Sequence, residues 1–557
     1  MSIAAVGSPL KSVTLPPRKS FLDFIFSTSS YATSLRTRTP KKLIANPVEA
    51  MPGDALRADA IFQGHFLLSG IEAKLTNIDP WFAADMPLHW HYELHNFDWL
   101  RDFSANGSDA SVRHARALVL SWIKHFDTYR PHIWDAGILA RRLINWTRQS
   151  QFLMTPHEGD FNYKFLRSLR EQYNHLGRYN RFISRDDDKF ETTLALYLCA
   201  LCFPDTDGQA RKYKKQLLEQ IDSTILADGC HTSRSPARHM SLLSDLIGLK
   251  HTLNNLQEEI PSALMGGIDR LAPVVRFFQH GDGSLALFNG SVMASEGTVD
   301  HLLAIAEAPG RPPHRCPKGG FERLKAGRAL LLLETGEGGR PKTTVSHQGI
   351  GSLEFSYGRD RIFVNCGAHP DATSPWGKAL SATAAHSTLC LSDQNATFPQ
   401  PSQNKEPDPV KVTTHAEGGN LWLELTNPGY MASHGVAHTR RLYLEASGQN
   451  LRGEEVVTAT KDTAETTEFQ IRFHLHPDLS ISKSIGGRNL FIKTKNGDGW
   501  QFASSLGDLS LEEGIYCAQA GKPRKSQQIV LRGRLHGNAP LSIKWSLKML
   551  GESDAEL

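Results

Sequence analysis

The sequence predicts a multidomain α-then-β chain, and three observations carry that expectation. At 557 residues the chain is too long for one hydrophobic core, so two or three domains are expected. From about residue 50 to 275 apolar residues recur at steps of three and four. After His280-Gly-Asp-Gly283 the period falls to two, in short runs bounded by turn residues. The expected domains are a flexible basic leader over 1–48, a helical domain over 49–275 and an antiparallel β-sandwich over 276–557.

The leader carries Lys11, Arg18, Lys19, Arg36, Arg38, Lys41 and Lys42 against one acid, Asp23. Its apolar cluster Phe21-Leu-Asp-Phe-Ile-Phe26 is short and interrupted by charge, unlike a signal-peptide core or a membrane span. In the helical part, Asp109 is expected to cap a helix bearing Val112, Ala115, Val119, Trp122, Ile123 and Phe126. Further stripes are Leu139/Leu143/Trp146, Phe165/Leu169/Tyr173/Leu176, Leu217/Leu218/Ile221/Ile225 and Leu242/Leu243/Leu246/Leu249. Their short Pro/Gly/Asp-rich connections imply antiparallel hairpins, which build a bundle, a solenoid or a closed toroid. The strands expected in the second half begin with Ser284–Asn289, Ser352–Ser356 and Arg361–Asn365. Leu421–Leu425, Arg441–Leu444, Phe469–Phe473, Leu490–Thr494 and Ile543–Leu547 follow, with a hairpin turn at Asn496-Gly-Asp-Gly-Trp500.

Composition narrows the function. Hydrophobic content of 40% and charged content of 22% describe an ordinary globular protein. A net charge of +4 spread over 62 basic and 58 acidic side chains argues against a nucleic-acid binder. Seven cysteines are scattered, and the Cys199/Cys202 pair lies in an apolar helix-like run, so both read as buried structural thiols.

A helical domain joined to a large sandwich offers a groove suited to an extended polymer. On a uronate polymer the chemistry would be β-elimination. The C5 proton is acidic only once the carboxylate is neutralised; a base then removes it and an acid protonates the departing O4. The residues themselves resemble a family built for this. Ile225-Leu-Ala-Asp-Gly-Cys-His-Thr-Ser-Arg-Ser-Pro-Ala-Arg-His239 is similar to the "DGG…SP…H" element of the heparinase II/III family, and Ala385-His-Ser-Thr-Leu389 to its "aHNt" element. His438-Thr-Arg-Arg-Leu-Tyr-Leu444, Leu451-Arg-Gly-Glu454 and Arg472-Phe-His-Leu-His-Pro477 resemble its later signatures, over roughly residues 50 to 550.

The resemblance implies a helical toroid followed by an antiparallel β-sandwich, and polysaccharide lyase activity on an acidic polysaccharide. It implies His386 as base or neutralising partner. Two positions depart from the pattern. Arg238 stands where characterised lyases carry a tyrosine, followed by His239, and the Asn-His pair Asn174-His175 lies earlier than in the family. A working set is therefore His386 or His239 as base, Arg238 and Arg234 to neutralise the carboxylate, and Tyr179, Tyr173 or His175 near the leaving oxygen. Asn174 and Trp90 are candidate substrate contacts; helix packing is the plainer reading for the tryptophan. No cofactor is required, and a structural zinc would fall on His386, Asp393 and His474 of the sandwich. A non-catalytic carbohydrate-binding protein on the same scaffold is the alternative, motivated by Arg238. A glycoside hydrolase would need two flanking carboxylates, for which only Asp187/Asp188 present themselves. The implied substrate points to the cell envelope or periplasm, while the lack of a clear export signal leaves the cytoplasm open.

Overall fold

The computed structural model describes residues 17–76, 79–155, 159–183, 186–308, 310–337, 346–398, 409–459, 467–507, 509–519, 521–537 and 539–551. The chain divides into two compact units. One comprises Met1–Ser223 and Asp245–Met265, the other Thr224–Ser244 and Gly266–Leu557.

The first unit is helical, as the period of three and four predicts. The stripes fall on helices Asp109–Phe126, Ala136–Arg148, Gly159–Tyr179 and Asp207–Thr224, Ile225 lying just past the last of these, with a fifth stripe on Pro236–Asn255, a helix that the two units share. Ala136–Arg148 is buried along nearly its whole length and packs against both Gly159–Tyr179 and Asp186–Cys202. Around it Phe97, Trp99, Trp122, Trp146 and Phe165 interlock, the Trp122 and Trp146 rings 5.4 Å apart at 82°. Cys199 and Cys202 are fully buried in their helix, as their apolar setting implies. Asp109 opens its helix but Ser108 caps it, its hydroxyl accepting from Ser111 N at 3.2 Å; the cap falls one residue earlier because serine also serves that position.

From Pro17 on, the expected leader forms packed structure, with helices Pro17–Phe26 and Ser29–Leu35. Phe26 and Leu35 are buried. An aromatic with an accessible partner surface is worth more than the entropy of a free tail, a term that basic composition alone hides.

The second unit holds two antiparallel sheets. One orders its strands Ser480–Lys483, Asn489–Lys493, Gly499–Ser504, Leu541–Met549, Asn450–Ala459, Val436–Leu444, Asn420–Tyr430, Lys411–Glu417. The other runs Ser510–Gln519, Lys522–Leu535, Thr467–Leu475, Asp360–Val364, Leu353–Tyr357, Ala329–Glu334, Phe321–Ala326, Arg315–Cys316, with Leu389–Leu391 also paired to Thr467–Leu475. One apolar core fills the space between them. Phe363 and Phe473 from one sheet meet Phe502 and Trp545 from the other, with Phe473 and Trp545 centroids 4.8 Å apart. The hairpin at Asn496–Trp500 joins two paired strands, as its turn residues predict. Ser284–Asn289 is not a strand: Leu285 makes a lone bridge to Gln279, and Leu287 N donates to the Glu354 carboxylate rather than to a neighbouring strand. Residues 285–289 are all buried, without the alternation of a half-buried strand.

Candidate functional site

His386 follows a short 3-10 turn, Thr383–Ala385, and precedes the strand Leu389–Leu391. Its side chain is 0% exposed, yet its surroundings are polar. Nδ1 lies 3.3 Å from Asn365 Oδ1, which also accepts from Ser387 N. Because the Asn365 amide nitrogen faces the Glu354 carboxylate, its oxygen faces the ring, so His386 Nδ1 carries the proton and Nε2 the lone pair. Among the described residues that Nε2 has no hydrogen-bond partner. Burial, with His347 and His474 nearby, holds the imidazole well below its ordinary pKa. It is a neutral ring in the tautomer that can accept a proton.

Around it stand groups that the sequence did not single out. The His347 ring lies 5.2 Å from His386. Glu334 Oε1 accepts from Asn289 Nδ2 at 2.9 Å, while Oε2 is unpartnered among the described residues. Burial raises the Glu334 carboxyl to about 7, against the Asn289 hydrogen bond and the charge of Arg234. A Cβ on Gly349 would fall 2.8 Å from Glu334 Oε2, 3.2 Å from Ser352 Oγ and 3.4 Å from His386 Cγ. Glycine at 349 therefore keeps the space that these three side chains share. Arg234, which the sequence did single out, lies in left-handed backbone at φ 57°, is nearly fully buried, and leaves Nε and Nη1 unpaired among the described residues.

The loop bearing His386 is held from behind. Arg440 Nη1 donates to Gly351 O at 2.6 Å and Ser387 O at 2.8 Å, while its Nε donates to Glu455 at 2.9 Å. His438 and Trp545 complete the carboxylate's partners, at 2.6 and 2.9 Å. Arg440 and His438 hold Glu455 down to about 2. His438 and Arg440 are two apart in one strand, so both point inward. Two sequence signals mark these missed residues: that alternation, and Glu334 closing the apolar run Ala329-Leu-Leu-Leu-Leu.

The other expected catalytic residues are placed differently. His239 has both ring nitrogens engaged, Nε2 accepting from His231 N at 2.8 Å and Nδ1 donating to Ser235 O at 2.7 Å. It fastens the turn in front of its own helix and has no nitrogen left for a substrate. Arg238 is half-buried with its charge felt at His231. In the helical unit, Asn174, His175, Arg178 and Tyr179 are all engaged by the chain's own segment from Phe26 to Thr37. Asn174 donates to Leu35 O (2.8 Å) and Thr37 Oγ1 (3.1 Å), and Arg178 binds Ser34 O and Oγ. His175 Nδ1 sits 2.8 Å from Tyr31 Oη. The ring is wholly buried and depressed to about 3, mainly by burial. Phe26 packs edge-on against both His175 and Tyr179, at 5.0 and 5.8 Å. Tyr173 is buried against Phe203. Trp90 is 0% exposed with Nε1 donating to Ile71 O, so it is a core residue rather than a stacking platform.

The expected zinc set does not assemble. Asp393 is exposed at a turn with φ 55°, while His474 spends Nδ1 on Cys366 Sγ (3.4 Å) and Nε2 on Ala384 O (3.0 Å). His476, two residues on, lies past the end of the strand at Leu475, and its ring faces Tyr516, 5.0 Å away.

A groove of about 520 Å³ does open on the outer face of the sheet that carries Asn420–Tyr430 and Val436–Leu444. Trp422 and Tyr443 are cross-strand partners with rings 5.1 Å apart, flanked by Arg452, by Lys544 and by Arg441, which is itself paired with Glu424 and Glu454. Part-exposed rings beside cations suit a sugar that bears a carboxylate.

Comparison with known proteins agrees with this architecture. Residues 308–546 match the family model "Heparinase II/III-like, C-terminal". FtsZ-localized protein C of Caulobacter vibrioides is 27% identical over 540 residues, 94% of this chain and 93% of that protein. Among solved structures, a heparinase III superposes with a TM-score of 0.72 at 14% identity, covering 96% of this chain and 92% of its own. A mutant of heparan sulfate lyase HepC from Pedobacter heparinus does so at 0.60 and 14%, covering 93% and 87%. These structures share the fold, a helical toroid followed by a β-sandwich. Among the described residues no helix is long and apolar enough to cross a membrane.

Proposed function

Because residues 308–546 match the heparinase II/III-like C-terminal family model, we propose that the chain binds an acidic, uronate-containing glycan on a polysaccharide lyase scaffold without cleaving it. One observation carries this reading: the helix face bearing Asn174, His175, Arg178 and Tyr179 is filled by the chain's own Phe26–Thr37 segment. The tyrosine that the family pattern places at 238 is an arginine, which lacks the phenol hydroxyl that would give a proton to a leaving oxygen. Binding then falls to the groove of Trp422, Tyr443, Arg441, Arg452 and Lys544.

The test is calorimetric titration of the full chain with a panel of uronate polymers, with unsaturated-sugar absorbance followed in the same samples. Binding without absorbance is expected, weakened about tenfold in Trp422→Ala, a loss of roughly 1.4 kcal/mol. Absence of binding across the panel by folded protein, or unchanged affinity in the variant, counts against the reading.

A second reading, β-elimination with His386 as base, is favoured by its free Nε2 in the proton-accepting tautomer. Absorbance that His386→Ala abolishes would establish it. The likeness to a protein named for FtsZ localisation supports a place beside FtsZ. A fluorescent fusion is expected to coincide with FtsZ, and a diffuse signal would contradict that.

A further inference from the structure

The geometry points to a binding site for a thiophilic divalent cation of the zinc class, formed by Asp228, Cys230 and Cys316. Among the described residues their ligand atoms, one carboxylate oxygen and two sulfurs, all lie within 4.8 Å of one another. Local structure brings them together. A lone antiparallel bridge joins Ile225 to His231 and closes a tight knuckle, with Leu226 N donating to Cys230 O and Gly229 at φ 85°. This puts the Asp228 and Cys230 side chains on one side of the turn. Cys316 ends the strand that pairs with Phe321–Ala326, and the turn Cys316–Gly320 folds back over the knuckle.

The carboxylate is oriented before any ion arrives. Asp228 Oδ1 accepts from Cys230 N at 3.2 Å and Oδ2 from Gly319 N at 2.8 Å. Each oxygen keeps a second lone pair. A Cβ on residue 319 would stand 2.3 Å from Cys230 Sγ, so only glycine leaves room for that sulfur. Both cysteines are fully buried, and Asp228 is the partly exposed member. A solvent oxygen can complete four ligands from its side.

Charge favours a divalent ion. Two thiolates and a carboxylate carry three negative charges. A divalent cation together with Arg234, whose charge is felt by both Cys230 and Asp228, offsets all three. Cysteine binds such a cation as thiolate, so uptake of the ion is coupled to proton release. Two sulfurs and a carboxylate match zinc's preference for tetrahedral S/N/O ligation over the all-oxygen shells of magnesium and calcium. The ion would tie the Asp228 knuckle to the Cys316 hairpin. None of this depends on glycan binding.

The test uses the reduced full chain, stripped with a chelator and titrated with cobalt(II) as a spectroscopic stand-in and then with zinc. The expected result is one equivalent of cobalt with sulfur-to-metal charge-transfer absorption, displaced by zinc, together with a zinc-dependent rise in Tm. Cys316→Ser should lose the absorption, and Asp228→Asn should weaken zinc binding tenfold or more. Folded wild-type chain that shows no charge-transfer band overturns the site, whether or not the variants fold. So does a band that survives Cys316→Ser, or a Cys230–Cys316 disulfide that persists in reductant and leaves no thiols to bind.

Discussion

Glu334 is a carboxylate whose folded-state pKa, about 7, lies above the ordinary value of 4.5 because burial disfavours its charge. Below pH 4.5 it is protonated whether the chain is folded or not, and its contribution to stability is fully present. Between there and about pH 7 the folded chain binds more protons, so stability falls as pH rises, by roughly 3 kcal/mol in all. Glu334→Gln, which keeps an acceptor for Asn289, is expected to be more stable than wild type at pH 8 and to flatten the dependence of Tm on pH between 5 and 8. Parallel pH profiles would contradict the assignment. Glu455 behaves oppositely: held near 2 by Arg440 and His438, it stabilises above its ordinary value and loses that contribution only as pH falls through about 2. Glu455→Ala strands the buried Arg440 guanidinium, and a loss of about 3–5 kcal/mol is expected in denaturant unfolding. At this scale the sequence disclosed His386 by its position between loop and strand. It did not disclose Glu334, Asn289 and His347, because three distant segments bring them together, nor that His239 would spend both nitrogens on its own turn.

At the scale of the element, close approach decides where glycine is needed. A Cβ on Gly453 would lie 2.2–2.5 Å from atoms of the Trp545 ring on the neighbouring strand. Gly453→Ala must displace that ring from the inter-sheet core and is expected to cost about 1–3 kcal/mol. Gly266, inside the helix Ser262–Phe278, has nothing within 4 Å of the same atom. Gly266→Ala should therefore stabilise by about 0.5–1 kcal/mol. Paired unfolding curves check both; equal effects at the two positions would contradict the packing described. Elements were the most legible level. The helix stripes and the alternating strands were found where periods of 3.6 and 2 predict them, because each element buries one face against a core. Ser284–Asn289 misled because its backbone bonds go to scattered partners, Leu287 N to the distant Glu354 carboxylate and Leu285 O to Arg361, which no local pattern reveals.

At the scale of the whole molecule, the order of an α part before a β part was visible in the change of period at residue 283, whereas the packing of the N-terminal segment was not. Phe26 and Tyr31 sit in a stretch whose basic, Ser/Thr-rich composition resembles a free tail, and their partners His175 and Tyr179 lie more than a hundred residues on. That packing underlies the view that this scaffold binds without cleaving. The most direct measurement is a single-turnover experiment, with protein in excess over a uronate polymer that it binds, read by unsaturated-sugar absorbance. The account predicts no unsaturated ends from wild type and no difference on His386→Ala. Unsaturated product formed in proportion to wild-type protein, and abolished in that variant, would contradict it.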